Sequence, residues 1–257
     1  MKRYLIALTL VALLPLTVSA AATKSTKPSQ PRPPSPSLQP VQDVAGLPRV
    51  MLIGDSISMG YTVAVRELLK GVANVHRPPT NCGDTTRGLE SLDSWLGTGK
   101  WDVIHFNWGL HDLKYFDENK KLTTPTGSSK ARIRSNVKHL DERTPDKVKQ
   151  VNPLPVYERN LRKLVARMKK NGAKLIWCST TPVPEGCDGR IRGTELEYNK
   201  VAAKIMKRNG VAIDDLHAYA VTRLAEIQMP KNVHFHTDGS KKLAEQVVAS
   251  IKAQLGK

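Results

Sequence analysis

The feature that most constrains the fold of this 257-residue chain is a repeated alternation of short apolar runs with segments of helical periodicity. Residues 156–170 illustrate a helical segment, because its apolar residues fall on one face and its basic residues elsewhere. Runs of strand length occupy residues 50–53, 101–107, 173–178 and 211–213. Strands that alternate with helices favour a parallel sheet covered by helices, so we predict an α/β fold.

The composition is that of a soluble globular protein, with 40% hydrophobic and 25% charged residues. The net charge of +17 favours anionic partners without identifying them. Residues 114–170 hold 16 basic and 6 acidic residues, so more than half of the excess positive charge lies in this region. Within this region, residues 117–155 have little apolar periodicity and are predicted to form a long basic insertion. The insertion is either a solvated face or a surface that attracts an acidic polymer.

The N-terminal residues 1–22 have the layout of a secretory signal peptide, with Lys2 and Arg3 before an apolar run and small residues after it. That run is shorter than a bilayer-spanning helix, so we predict cleavage and no membrane attachment afterwards. The mature protein is then secreted or periplasmic, and with no recognition motif present, a nucleic acid partner is not expected. Residues 23–48 hold 7 of the 17 prolines and are predicted to be a linker before a domain at 49–257.

The chain has three cysteines, Cys82, Cys178 and Cys187. In an oxidising compartment, the simplest count is one disulfide and one remaining thiol. A bridge between Cys178 and Cys187 would close a short loop. Three buried thiols fit the sequence equally well.

Four polar clusters lie where an apolar run ends or where the last helix begins. The motif Gly54-Asp55-Ser56 comes directly after the first strand, and ligand sites in open parallel sheets lie at the carboxyl ends of strands. It is not a Gly-x-Ser-x-Gly elbow, because Ser58 stands where the elbow requires glycine. It is not a phosphate-binding loop either, because no lysine follows at the required position. The other clusters are residues 81–84, 106–112 and 232–239. We expect all four clusters to meet at one edge of the sheet.

The order of these clusters resembles the SGNH hydrolases, also called the GDSL esterase family, over residues 49–255. The matching motifs are Gly54-Asp55-Ser56, Gly83, Gly109-Leu110-His111-Asp112 and Val233-His234-Phe235. The resemblance implies a flavodoxin-like three-layer α/β/α sandwich with a mostly parallel sheet. It also implies ester hydrolysis without a metal or other cofactor. Ser56 would be the nucleophile, His234 its base, and the N–H groups of Ser56 and Gly83 with the His111 side chain would hold the oxyanion.

The chain departs from the family pattern at two positions. His111 replaces an asparagine of the third motif; its ring N–H can still donate to an oxyanion, and Asn107 is the substitute candidate. Lys231 stands three residues before His234, where the family has an aspartate that orients the imidazole. We therefore expect His234 to be supported by a backbone carbonyl or by a carboxylate from elsewhere in the chain.

These features predict a secreted serine esterase that deacetylates an O-acetylated polysaccharide or sugar by an acyl-enzyme mechanism. The expected substrate is an acylated small molecule or an acidic polysaccharide. The alternatives are a noncatalytic polysaccharide-binding protein on the same scaffold and a sugar O-acyltransferase. The spacing of His234, His236 and Asp238 also resembles a binuclear zinc hydrolase, but the remaining histidines lack ligand spacing.

Overall fold

A computed structural model describes residues 35–125 and 148–257. The predicted signal peptide at 1–22 and the centre of the predicted basic insertion lie outside the described residues. None of the helices in the described ranges is long and apolar enough to cross a bilayer.

The strands of the described residues are, in chain order, β1 (Arg49–Ile53), β2 (Asn74–His76), β3 (Val103–Phe106), β4 (Tyr115–Phe116), β5 (Lys149–Gln150), β6 (Lys174–Cys178) and β7 (Ala212–Asp214). Five of them form one sheet in the order β2-β1-β3-β6-β7, and every neighbouring pair in it is parallel. This is the flavodoxin-like order, in which the carboxyl ends of β1 and β3 flank the switch point. The predicted parallel α/β architecture is confirmed.

The helices flank this sheet, and they are α1 (Ser56–Leu68), α2 (Thr85–Leu96), α3 (Leu154–Lys169), α4 (Thr194–Asn209), α5 (Leu216–Val221), α6 (Leu224–Ile227) and α7 (Thr237–Leu255). Helix α1 packs against α7, and α3 packs against both α2 and α4. The apolar stripe predicted for α3 is fully buried at Leu161, Leu164, Val165 and Met168. Burying such stripes on the sheet supplies most of the stability of short helices.

The end of the predicted linker lies against the domain. The Arg66 guanidinium donates hydrogen bonds to the carbonyl oxygens of Pro36 and Gln39. The Asn74 side chain accepts from the Val44 backbone N–H at 2.9 Å and donates to the Val44 carbonyl at 3.0 Å. These contacts begin before Arg49, the residue at which the composition places the start of the domain. Proline removes backbone donors but keeps its carbonyl acceptor, so a proline-rich segment can still be bound this way.

The two ends of the predicted insertion meet in a second, two-stranded sheet. Strands β4 and β5 pair antiparallel, with Tyr115 opposite Gln150 and Phe116 opposite Lys149. The segments on either side of residues 126–147 are therefore hydrogen-bonded to each other. Strands of two residues carry no periodicity, so the sequence pattern does not predict them. The last residues assigned to the insertion belong to α3, which begins at Leu154.

All three cysteines are free thiols and all are buried. The structure thus has no bridge between Cys178 and Cys187, and it matches the alternative of three buried thiols. Burial raises the pKa of the Cys82 thiol to about 11 and that of Cys178 well above its usual value. Both remain protonated at neutral pH and are poor nucleophiles.

Candidate active site at the carboxyl edge of the sheet

Ser56 is the first residue of α1 and follows the carboxyl end of β1. The buried Asp55 caps this helix, because its carboxylate accepts a hydrogen bond from the Ile57 N–H at 2.9 Å. The first N–H groups of a helix have no partner inside it, and the helix dipole makes this end electropositive. The backbone N–H of Ser56 is therefore suited to binding a negatively charged oxygen.

The Ser56 hydroxyl oxygen lies 2.8 Å from Nε2 of His234, although 178 residues separate them. His234 is in the segment that leads into α7, and its ring is partly exposed. The fold thus brings together the serine and the histidine that the sequence pattern selects. A serine hydroxyl bonded to an imidazole nitrogen is the geometry that activates the serine as a nucleophile.

The other ring nitrogen of His234, Nδ1, lies 2.7 Å from the side-chain oxygen of Asn232. An amide oxygen only accepts hydrogen bonds, so Nδ1 carries the proton and Nε2 is free to accept the Ser56 proton. The sequence-based expectation of a backbone carbonyl or a carboxylate at this position is wrong. The supporting group is the side-chain amide of a residue two positions before the histidine.

The local backbone explains how Asn232 reaches the ring. Lys231 has a φ of +55°, in the left-handed region. The Asn232 oxygen also accepts from the His234 backbone N–H at 3.1 Å, which forms a turn that asparagine favours. Asparagine two residues before the histidine was a detectable turn signal. The family pattern instead has the supporting residue at position 231, three residues before the histidine.

Burial lowers the pKa of His234 below its usual value near 6.5. Asp55 opposes this shift, while the positive charges of Arg190 and Lys114 reinforce it. A neutral asparagine partner does not stabilise the imidazolium as a carboxylate would. His234 therefore stays neutral, and able to accept a proton, at lower pH than an ordinary histidine.

We predict that replacing Asn232 with aspartate raises the pKa of His234 by at least about one unit, because a carboxylate within hydrogen-bond distance favours the charged ring. The measurement is an NMR titration of the histidine rings, with the His234 signal assigned by its loss in His234→Ala. In the unsubstituted protein, this pKa should lie below 6.5. An unchanged pKa in Asn232→Asp would mean that residue 232 does not contact the ring in solution.

Gly83 lies in the loop between β2 and α2 and has a φ of +63°, a conformation that favours glycine. Its N–H donates a hydrogen bond to the side-chain oxygen of Asn81 at 2.9 Å. A ligand oxygen bound at this N–H would replace the Asn81 oxygen. The candidate donor is thus present and held by a side chain of its own loop.

Asn107 follows β3, and its side-chain nitrogen donates to the Cys178 carbonyl at 2.8 Å and to the Thr180 hydroxyl at 3.4 Å. Both hydrogens of the amide therefore have acceptors, and they tie the end of β3 to the end of β6. Of the two candidate side chains, this leaves the His111 ring as the donor.

Nδ1 of His111 lies 3.1 Å from the Lys114 ammonium nitrogen. An ammonium group only donates, so Nδ1 accepts and the ring proton is on Nε2. Burial lowers the pKa of His111 to about 4, with Lys114 and Arg190 contributing and Asp55 opposing. At neutral pH, His111 is accordingly an uncharged ring with an Nε2–H donor. The sequence pattern selected His111 but did not predict that Lys114 fixes its tautomer.

The loop that carries His111 is held by buried contacts. The Asp112 carboxylate accepts from the Thr85 N–H at 2.9 Å and from the Asn152 side chain at 2.8 Å, which joins the loop to the starts of α2 and α3. Burial raises the pKa of Asp112 to about 7. A Cβ at Gly109 would lie 2.1 Å from the Thr180 hydroxyl oxygen, so this position has no room for a side chain.

A buried arginine organises the segment around Ser56. The Arg77 guanidinium donates to the hydroxyls of Ser58 and Thr62 at 3.0 and 3.1 Å. It also donates to the carbonyls of Gly54 and Thr80 at 3.1 and 3.2 Å. The turn before Ser56 and the loop before Gly83 are thus fixed by one side chain. A single arginine after a short strand gives no sequence signal of this role.

The residues of the zinc-like motif do not converge. Nε2 of His234 is bonded to Ser56, while His236 and Asp238 are exposed and Asp238 pairs with Lys241 at 2.9 Å. Among the described residues, one group has ligand atoms close enough for a metal, and it comprises His105, Cys178 and Asp214. These side chains are fully buried beneath α7, and His105 pairs with Asp214 at 2.9 Å.

The sheet order and the serine–histidine pair at its carboxyl edge are those that the resemblance to the SGNH hydrolases implies. No protein-family model and no curated protein matches the chain. Solved structures do match it, and the acetyl xylan esterase AlAXEase has a TM-score of 0.56 and 15% identity over 79% of this chain and 99% of its own.

Two further structures give the same result. A lipase/acylhydrolase from Enterococcus faecalis has a TM-score of 0.56 and 18% identity over 80% of this chain and 96% of its own. Axe2, an acetylxylan esterase from Geobacillus stearothermophilus, has a TM-score of 0.55 and 16% identity over 82% of this chain and 94% of its own. At such low identity, these likenesses establish the fold of the chain as that of GDSL-type esterases and lipases.

Proposed function

We propose that this protein is a serine esterase that removes acetyl groups from O-acetylated saccharides through an acyl-enzyme on Ser56. The observation that carries the proposal is the 2.8 Å contact between the Ser56 hydroxyl and Nε2 of His234 on this fold. Two of the similar structures are acetylxylan esterases, and this supports the choice of an acetyl group on a saccharide.

In the proposed mechanism, His234 takes the hydroxyl proton while Ser56 attacks the ester carbonyl. The developing negative charge on the carbonyl oxygen is held by the backbone N–H groups of Ser56 and Gly83 and by Nε2–H of His111. His234 then protonates the leaving alcohol. Water, activated by the same imidazole, attacks the acyl-enzyme and releases acetate.

Asn232 takes the orienting part of the role that an aspartate has in a triad. It fixes the ring and its tautomer, but it adds no negative charge next to the imidazolium that forms in the transition state. The noncatalytic alternative rested on the missing aspartate. The oriented His234 ring favours the enzymatic function over that alternative.

The proposal also includes export and an anionic substrate. Export is supported by the layout of residues 1–22, and the anionic substrate by the net charge of +17 and its concentration in residues 114–170. After cleavage of the signal peptide, no membrane and no nucleic acid is needed as a partner, and the proposed chemistry needs no cofactor.

The test is acetate release by the purified mature protein from acetylated xylo-oligosaccharides, acetylated uronates and a chromogenic acetate ester, with Ser56→Ala as the matched control. We expect release by the unsubstituted protein and none above background by the control. Product analysis with a sugar acceptor distinguishes hydrolysis from transfer. No release above the control from any acetyl ester would contradict the proposal.

A further inference from the structure

Two basic side chains from different segments contact the loop that carries His111, the proposed oxyanion donor. The Lys114 ammonium contacts Nδ1 of His111 at 3.1 Å, and the Arg190 guanidinium donates from Nε to the Leu110 carbonyl at 2.9 Å. Leu110 and His111 are consecutive residues, so both positive charges are held against the loop of the proposed oxyanion donor. Both side chains are half-buried.

Neither cation has an acidic partner among the residues that the structure describes. Within residues 35–125 and 148–257, no carboxylate lies within ion-pair distance of Lys114 or Arg190. Arg192, two residues after Arg190, is by contrast exposed and lies 3.6 Å from the Glu185 carboxylate. The described part of the site therefore contains two positive charges and no ion pair with either of them.

The two charges are close enough to act on each other and on the reacting groups. Burial, together with the positive charge of Arg190, lowers the pKa of Lys114 to about 8, although nearby acids oppose the shift. Both cations also lower the pKa of His234, so their fields reach the proton-accepting ring. The negative charge of Asp55 opposes the lowered pKa of Lys114, Arg190 and His234. Asp55 is buried, however, and its carboxylate already caps α1. Like charges that share a partly buried site are unfavourable unless an anion binds between them.

We propose that Lys114 and Arg190 form an anion-binding subsite beside Ser56, and that the preferred substrate bears an acidic group on the sugar that carries the acyl group. This inference rests on the proposed esterase function and narrows its substrate class. Nε of Arg190 donates to the Leu110 carbonyl, and the same side chain also has a hydrogen bond with the Cys187 side chain. A guanidinium has five N–H groups, so terminal N–H groups remain that can donate to a carboxylate or sulfate. Lys114 supplies a second, point-like charge.

This subsite differs from the general basic charge of the protein. A dispersed surface charge attracts any polyanion at long range and is strongly weakened by salt. A contact subsite discriminates between two small esters that differ only in one acidic group. Small substrates therefore separate the two effects, because the esters compared are matched in size and differ only in the acidic group.

The experiment compares acetate release from an O-acetylated methyl galacturonoside with release from its neutral 6-methyl ester, with an O-acetylated sugar sulfate as a third arm. We expect kcat/KM to be at least about tenfold higher for the acidic esters, as charge-assisted hydrogen bonds to an anion contribute roughly that much. A preference for only one of the two acidic esters identifies the group as carboxylate or sulfate.

Variants of Arg190 test whether this residue produces the preference for acidic esters. In Arg190→Gln, the ratio of acidic to neutral kcat/KM should fall about tenfold, and Arg190→Lys should restore part of it. Arg192→Gln removes the same charge from the same segment and should keep the ratio. Thermal unfolding of each variant verifies folding. Inhibition of the unsubstituted enzyme by free galacturonate, compared with galactose, tests the same subsite without any variant.

The outcomes are distinguishable. Equal kcat/KM for acidic and neutral esters, with no inhibition by galacturonate, would overturn the subsite and leave the esterase function in place. Equal loss on both esters in Arg190→Gln would also overturn it, because the cations would then act on the oxyanion rather than on the substrate. No acetate release from any ester by the unsubstituted enzyme would contradict the proposed function itself.

Discussion

Replacing Ser56 with alanine should lower kcat for acetyl-ester hydrolysis by at least about 10⁴-fold, and His234→Ala should have an effect of similar size. The reason is that attack requires both groups at once. The serine hydroxyl is a weak nucleophile until its proton moves to Nε2 of His234, which lies 2.8 Å away. Substrate binding remains in both variants, so the loss should appear in kcat rather than in KM.

The double variant gives the sharper result. If Ser56 and His234 act as one unit, then Ser56→Ala with His234→Ala should be about as slow as either single variant, because the second change removes a group with nothing left to activate. The measurement is kcat for the four proteins on one chromogenic acetate ester. Losses that multiply in the double variant would mean that the two residues act independently.

Ser58 offers a matched control for these variants. Its hydroxyl lies in the same turn, donates to the Asp55 carbonyl at 2.8 Å and accepts from Arg77. Ser58→Ala deletes a buried hydroxyl of the same size, at a cost of about 1 to 3 kcal/mol in the free energy of unfolding. It should nevertheless keep the Ser56–His234 contact and most of kcat. A loss as large as that of Ser56→Ala would indicate damage to the turn rather than removal of the nucleophile.

Strands β1, β3 and β6 were predictable because they are buried on both faces and appear in the sequence as continuous apolar runs. The place of Ser56 followed from the topology, since parallel strands have their carboxyl ends at one edge. His234 follows no strand of the sheet, and the motif resemblance placed it at this edge. The helix predicted at 156–170 is α3, observed at Leu154–Lys169. Local apolar periodicity was thus sufficient to predict the parallel α/β architecture.

The missing parts of the site depend on contacts that periodicity does not contain. Asn232 reaches its histidine through a left-handed turn at Lys231, and Lys114 reaches His111 across one turn of a loop. Arg77 is tied to groups up to 23 residues away in the chain. Each contact is set by the direction of one side chain after the chain has folded, which a single sequence does not reveal.

The second large effect is expected at His111. His111→Ala should lower kcat by roughly 10²- to 10³-fold, because one donor to a developing oxyanion typically contributes about 3 to 4 kcal/mol. KM should change little, since the hydrogen bond strengthens only as charge develops on the oxygen. His111→Asn, which restores the residue type of the family motif, should recover part of this loss through its amide N–H.

Lys114 supplies the test that separates an oxyanion donor from a structural histidine. In Lys114→Met, Nδ1 loses the donor that lies 3.1 Å away, so the ring proton is divided between the two nitrogens. The pKa of His111, now about 4, should rise because one of the charges that lower it is removed. On a neutral ester, kcat should therefore fall by less than in His111→Ala and should depend more on pH between about 4 and 6.5. If His111→Ala instead raises KM and leaves kcat unchanged, His111 binds the substrate equally in its ground and transition states, and the Ser56 and Gly83 N–H groups alone hold the oxyanion.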